Sequence, residues 1–374
     1  MASFVATVPT AAAEPFTSAQ ATFEVTELAS GLHYPWSIVQ LPDGDLLVSE
    51  REGGLRRVHL DDGKAMLTTL TGLPDITQAG QGGLMGLALH PDFEQNHRLY
   101  FAHVAGERGK YGTEVSFATL EGNGLQNVTR IFVAEPKADG GRHFGGRLLF
   151  GADGKLYISL GERGASPGLG ARHPAQQKSN HLGALIRIND DGSVPTDNPF
   201  VDDAQAAPEI NSYGHRNIQG LIQDPATGTL WTHEHGPQGG DELNVEVAGA
   251  NYGWPVITYG VNYGIGTRIG EGTARAGMEQ PVYRWIPSIA PSGMSLYNGD
   301  AFPQWRGDIF IGSLKFATLV RLEMSNGTVV DEERLLTGKY GRIRDVFTAR
   351  DGCIYLLTDA LNGRLLRLAP RNQP

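Results

Sequence analysis

Apolar residues recur along the chain in short runs, each closed by an Asp, Gly or Pro turn, and the runs fall into six copies of one pattern. Each copy begins with an apolar strand, then an Asp/Gly turn, a second apolar strand that ends in polar residues, and later a third strand. The first strands are expected at 36–41, 84–89, 147–150, 220–223, 293–297 and 344–348. The second lie at 46–48, 99–102, 156–160, 230–232, 309–311 and 354–357, and the third at 55–58, 115–118, 184–188, 243–247, 319–322 and 365–368. Repeated antiparallel sheets bury their apolar faces by radial stacking, so the fold class expected is all-β: a six-bladed β-propeller of four-stranded antiparallel sheets. No segment reads as a long helix. The run 23–28 should pair into the last blade, closing the ring and removing two open edges.

Topology then points to a site. Strands one and two of a blade form a hairpin, so the start of the first and the end of the second emerge on one face of the disc. The first strand lines the central channel, and its leading residues from different blades converge at one mouth. Those residues are Gln81-Gly-Gly83, Arg142-His-Phe-Gly-Gly146, His215-Arg-Asn217, Ser288-Ile-Ala-Pro-Ser292 and Arg342-Ile-Arg344. The second strands end nearby at Glu50, His103, Gly161-Glu-Arg163, His233-Glu-His235, Ser313-Leu-Lys315 and Asp359. Polar groups are densest over residues 211–255, where they sit at strand ends between apolar runs.

Composition narrows the picture. With 374 residues, 50 Gly, 21 Pro and only 19% charged residues, the chain suits many short strands joined by tight turns, and it is far from disordered. We expect one propeller domain over 21–370, a disordered segment over 1–20 and a short tail over 371–374. The Ala-, Thr- and Ser-rich start resembles the remnant of an export signal and its cleavage region, though no Lys or Arg precedes it, and a periplasmic or secreted protein is expected. No apolar run is long enough for a membrane span. The single cysteine, Cys353, excludes an internal disulfide and has the setting of a buried strand residue.

A formal charge of −10 argues against nucleic-acid or anionic-membrane partners. Against that charge, Arg216, Lys315, Arg342 and Arg344 on one rim suggest an anionic ligand bearing carboxylates or phosphates. His143, flanked by Gly141, Gly145 and Gly146, has room for a close ligand and can act as a general base near neutral pH, although a structural histidine is the commoner fate. His233 and His235 alternate along a strand without a clear third ligand, a weak pattern for zinc. The loop 236–242 offers backbone carbonyls and carboxylates, which suit calcium, or is simply a Gly-rich turn.

The motifs Gly80-Gln-Gly-Gly-Leu84, His143-Phe-Gly-Gly-Arg-Leu148, Tyr213-Gly-His-Arg-Asn-Ile-Gln-Gly220, Glu234-His-Gly-Pro-Gln-Gly-Gly-Asp-Glu-Leu-Asn244, Asn251-Tyr-Gly-Trp-Pro255, Leu314-Lys315 and Arg342-Ile-Arg-Asp-Val346 run in order along the chain. Together they resemble the soluble pyrroloquinoline-quinone (PQQ)-dependent sugar dehydrogenases, above all the aldose sugar dehydrogenase branch. The resemblance implies that His143 takes the hydroxyl proton from the sugar's anomeric carbon while hydride passes to the quinone. Arg216 would orient substrate and cofactor, with Asn217 beside it. The implied cofactor set is Gln81, Arg216, Asn217, Tyr263, Ser313, Leu314, Lys315, Arg342, Ile343 and Arg344. Calcium (Ca2+) would sit on the backbone oxygens of Gly236 and Pro237, and a second calcium on Glu242 and Tyr252. The implied partners are a small sugar substrate and an external electron acceptor, in a monomer or homodimer. Arg142 departs from the smaller acidic or amide residue of relatives, and His235 replaces a glutamine of the glucose-specific branch, which leaves sugar preference open. Two other readings remain: a calcium-dependent propeller lactonase, which needs carboxylates and Asn at the mouth, and a non-catalytic glycan- or protein-binding propeller.

Overall fold

The computed structural model describes residues 15–61 and 64–371. The described chain forms six antiparallel sheets arranged in a ring. Blade one comprises Pro35–Gln40, Leu46–Glu50, Gly54–Asp61 and Lys64–Thr69. Blade two comprises Leu84–Leu89, Arg98–Glu107, Lys110–Glu121 and Gly124–Val133, and blade three Leu148–Phe150, Leu156–Ser159, Ala184–Ile188 and Ile210–Tyr213. Blade four comprises Ile218–Gln223, Leu230–Glu234, Asp241–Val245 and Tyr283–Trp285. Blade five comprises Pro291–Leu296, Ile309–Ser313, Thr318–Ser325 and Thr328–Leu335. Blade six joins Ile343–Thr348, Ile354–Thr358 and Gly363–Pro370 to the N-terminal strand Thr22–Leu32. That strand pairs antiparallel with Gly363–Pro370, Phe23 opposite Pro370, so the two ends of the chain close the ring as the sequence pattern predicts.

Of the segment 1–20 expected to be disordered, residues 1–14 lie outside the described residues. The remainder is corrected by Phe16–Thr17, which pairs with Thr22–Leu32; Phe16 stacks on Phe23 with ring centroids 5.7 Å apart. In the tail, Arg371 donates its N–H to the Thr22 carbonyl, and residues 372–374 are likewise undescribed.

Burial explains why the second strands were so readable. Leu46–Glu50, Leu156–Ser159, Ile309–Ser313 and Ile354–Thr358 are buried at every position, because a neighbouring blade covers each face. Their sequence is therefore apolar in consecutive positions up to the polar end of each strand, rather than alternating. The outer strand Thr328–Leu335 is buried only at Leu335 and reads as polar. Cys353 is buried, and loss of solvent pushes its thiol up to about 11.

The first strands contact one another in ring order, from Pro35–Gln40 to Leu84–Leu89 and around to Ile343–Thr348, which returns to Pro35–Gln40. They are the channel lining. Across it, Arg147 of blade three donates from Nη1 to Asp345 Oδ1 of blade six at 2.9 Å and from Nε to the Gln219 carbonyl of blade four at 3.1 Å. Asp345 Oδ2 accepts the Ile38 N–H of blade one at 2.9 Å, and the Arg147 guanidinium lies over the Trp36 ring at 4.3 Å. One buried ion pair thus ties four blades together inside the channel.

Candidate active site

At the predicted mouth lies a cavity of about 560 Å³. Blade two brings Gln81 to it, blade three Phe144 and Gly145, blade four Asn217 and His235, the turn after blade five's second strand Leu314 and Lys315, and blade six Arg342 and Arg344. Its cations are Arg51, Lys315, Arg342 and Arg344, and among the described residues no carboxylate is on the wall. The balancing acid stands behind it: Asp359 Oδ2 accepts from Arg342 Nη2 at 2.7 Å and from Arg344 Nη2 at 3.2 Å. Arg344 keeps a buried Nε with no partner, a donor position a ligand can satisfy. Desolvation lowers Arg344's affinity for its proton, with Asp359 opposing. His235 is held neutral: burial, outweighing its bond to the Pro291 carbonyl at 2.7 Å, drives its pKa down to about 3.

A second cavity of about 530 Å³ adjoins the first, sharing Pro237 and Tyr263 with it. His143 and Arg216 line this one, with Arg142, Glu162, Trp254 and Ile265. His143 has φ +54°, a left-handed conformation uncommon outside glycine and asparagine, and such strain gathers at functional sites. Gln81 Oε1 accepts its backbone N–H at 3.0 Å. Gly161 passes beneath: a Cβ there would lie 2.2 Å from the His143 carbonyl oxygen and 2.6 Å from Asn217 Oδ1.

The imidazole is oriented by Glu162, whose Oε1 lies 2.5 Å from His143 Nδ1. A carboxylate accepts, so Nδ1 carries the hydrogen and Nε2 presents its lone pair. Burial lowers the pKa of His143, opposed by the Glu162 hydrogen bond and reinforced by Arg216. For Glu162, burial alone would raise the pKa; the His143 bond and the charges of His143, Arg216 and His173 outweigh it, and the carboxylate stays ionised. Its other oxygen accepts the Ala165 N–H at 2.6 Å. A neutral, oriented imidazole beside an ionised carboxylate can accept a proton at Nε2.

Arg216 leans over Trp254 at 5.2 Å and donates from Nη1 to the carbonyls of His235 at 3.0 Å and Gly236 at 2.6 Å. Its position is set from below, where Glu234 Oε2 accepts its backbone N–H while Oε1 meets His215 Nδ1 at 2.9 Å. A third, much smaller chamber is bounded by Glu234, Gly236, Glu242 and Tyr252. Burial and the neighbouring Glu234 charge push the Glu242 carboxyl well above its ordinary value. The Tyr252 hydroxyl donates to the Val245 carbonyl at 2.6 Å, and its ring stacks on His215 at 4.2 Å.

The chain is also similar to known proteins. The sequence profile of the glucose / sorbosone dehydrogenase family matches residues 32–367. The aldose sugar dehydrogenase of Escherichia coli (strain K12) is 43% identical over 362 residues, covering 95% of each chain. The chain is a member of the glucose / sorbosone dehydrogenase family. Solved structures of such dehydrogenases agree. The apo-form of the soluble aldose sugar dehydrogenase from Escherichia coli superposes with a TM-score of 0.87 at 41% identity, covering 93% of this chain and 100% of that one. The PQQ-bound aldose sugar dehydrogenase from Streptomyces coelicolor does so with a TM-score of 0.76 at 30% identity, covering 93% and 98%.

Within this dehydrogenase, most residues singled out from the sequence gather on the two cavities. Ser313 and Ile343 do not. The Ser313 hydroxyl donates to the Ile289 carbonyl at 2.7 Å, and Ile343 is a core side chain whose carbonyl accepts from Ser292 Oγ at 2.7 Å. Glu242 and Tyr252 face the small chamber instead. His233 and His235 gather no third ligand: among the described residues no group of three His, Cys, Asp or Glu side chains could hold a metal. Sequence reasoning missed Arg51 and Glu162. Both stand at second-strand ends already identified as facing the mouth, Arg51 directly after Glu50 and Glu162 within Gly161-Glu-Arg163, so position was the available signal.

Proposed function

We propose that this sugar dehydrogenase is PQQ-dependent and oxidises aldoses at the anomeric carbon to lactones, passing electrons to an external acceptor. The observation that carries the reading is the larger cavity, whose wall holds four cations and, among the described residues, no carboxylate, beside a second cavity holding an oriented neutral histidine. PQQ is a tricarboxylate, and the donor set fits it: Arg344 has a buried unpaired Nε, while Lys315, Arg342 and Arg51 supply further charge. Gln81, Asn217, Tyr263 and Leu314 complete the enclosure. When bound there, the quinone supplies a two-electron acceptor for hydride.

The chain's own groups do the rest. His143 Nε2 receives the proton of the anomeric hydroxyl. Glu162 keeps the lone pair aimed into the cavity and stabilises the imidazolium that forms. Arg216, on the same cavity, stabilises negative charge developing on the substrate oxygen.

Calcium fits unequally. The Gly236 carbonyl, half of the expected pair with Pro237, accepts the Arg216 guanidinium in this structure, so a cation on the same oxygen would face that positive charge. No step is derived through it. The chamber at Glu242 offers a buried carboxyl that Asn244 and Arg284 only partly offset, chemistry that suits calcium, and we assign Glu242 to it; the Tyr252 hydroxyl is already engaged between the Val247 N–H and the Val245 carbonyl. The lactonase reading lacks its carboxylate cluster at the mouth. A periplasmic or secreted setting accompanies this function.

Reconstitution tests the proposal. Purified chain with PQQ and calcium should reduce a dye in the presence of aldoses. His143→Ala should lower turnover by roughly 10²–10⁴-fold while retaining cofactor. Arg344→Ala should chiefly weaken PQQ binding, by about 2 kcal/mol for a charge-assisted bond. Absence of dye reduction in wild type, or equal loss of PQQ binding in both variants, contradicts the division of labour.

A further inference from the structure

The smaller cavity holds a charge that the reaction does not use. Arg142 lines it beside His143, yet its guanidinium makes no hydrogen bond or ion pair among the described residues; only its backbone carbonyl is engaged, by Arg163. The other ionic groups on this wall are committed. Arg216 donates to two backbone carbonyls, and Glu162 is shared between His143 and the Ala165 N–H. Arg163, behind the wall, is buried with its guanidinium over the Phe144 ring and bonded to the carbonyls of Gly140 and Arg142. No carboxylate on this wall is free to pair with an incoming cation, and one exposed guanidinium is free to meet an anion. Long flexible arginines on open surfaces are common, but this one stands on the wall of a concave site of about 530 Å³, within the size range of small-molecule pockets.

We infer that Arg142 selects for aldoses that carry an anion away from the anomeric carbon, a uronic acid or a sugar phosphate. The inference rests on the dehydrogenase reading of this site and names the substrate class within it. The oxidation itself is unchanged: the anomeric hydrogen would leave with its bonding pair as hydride, for which bound PQQ would supply the two-electron acceptor, and His143 takes the hydroxyl proton. The anion at the far end of the sugar takes no part in the electron balance. Its pairing with Arg142 lowers KM, because the same contact exists before and during reaction.

The experiment compares glucuronate, galacturonate and glucose 6-phosphate with glucose and galactose, using chain reconstituted with PQQ and calcium at low ionic strength. Because Arg142 also depresses the His143 pKa, its removal will alter every substrate to some degree. That part is common and cancels in the ratio of kcat/KM for anionic over neutral sugars. The ratio should fall roughly five- to tenfold in Arg142→Gln, carried by KM, fall further in Arg142→Glu, and shrink in wild type as salt is raised. A preference for carboxylate over phosphate, or the reverse, identifies the anion. An unchanged ratio in both variants overturns the inference. Calorimetric titration of glucuronate and of glucose in the presence of PQQ reads the same preference without turnover. If no sugar is oxidised, the dehydrogenase reading fails by itself. In that case loss of glucuronate affinity in Arg142→Gln still supports the anion site, and equal affinity of wild type and variant still rejects it.

Discussion

His143 combines a strained backbone, a fixed tautomer and a depressed proton affinity, and the last of these has a sign that can be measured. A base works only when unprotonated, and burial together with Arg216 moves its pKa below the ordinary 6.5. The acid limb of kcat/KM against pH should therefore lie below 6.5, the rate rising as pH climbs through it. Glu162 opposes that depression, so Glu162→Gln should shift the limb to still lower pH while reducing kcat, because the amide can donate to Nδ1 and stabilise the wrong tautomer. A limb above 6.5 in wild type, or a shift to higher pH in the variant, contradicts this role. At this scale the sequence was informative wherever topology did the work. His143, Arg216, Lys315, Arg342 and Arg344 were legible because leading residues of first strands and ends of second strands share a face. Ser313 and Ile343 share that neighbourhood too, but alternation along their strands turns those side chains into the blade, and Glu162 was hidden because its role depends on distance to a residue 19 positions earlier.

Among elements, the inner strands are held by more than ladder bonds. The Arg147–Asp345 pair, with side chains 11% and 5% exposed, joins blades three and six across the channel. Burial raises the Asp345 pKa even with Arg147 present. Arg147→Met should destabilise by about 3–5 kcal/mol, since it leaves a buried carboxylate unpaired. Combining it with Asp345→Asn should recover part of the loss, as read by chemical denaturation; a double variant no better than the single would show that packing over Trp36 dominates. The elements themselves were legible in proportion to burial. Second strands such as Ile309–Ser313, covered on both faces, announced themselves as apolar runs, whereas the outer strands Gly124–Val133 and Thr328–Leu335 carry too many exposed polar positions to stand out.

For the whole molecule, the decisive element is Thr22–Leu32, whose Phe23 and Leu32 are fully buried. Phe23 packs edge-on to Trp305 at 5.8 Å and lies in the cluster shared with blade five. Phe23→Ala should cost about 3–5 kcal/mol. Deleting residues 1–32 should abolish the single cooperative thermal transition and expose Gly363–Pro370 as a sticky edge, visible as light scattering. A truncated chain that stays monomeric and melts cooperatively would show that the ring holds without its clasp. The ring was readable from six repeats of one pattern, but the number of repeats alone does not say how the circle is sealed; the apolar run at the start of the chain did.

That clasp also sets the order of folding. Phe23 finds Pro370 only after nearly the whole chain has been made, so five blades can assemble from local hairpins while the sixth waits on a contact that spans nearly the full sequence. The arrangement makes the final step a docking of the first-made strand onto the last-made one. A circular permutant that joins the native ends and opens the chain between two blades would replace that long-range docking with a local hairpin, and should refold with a faster terminal phase.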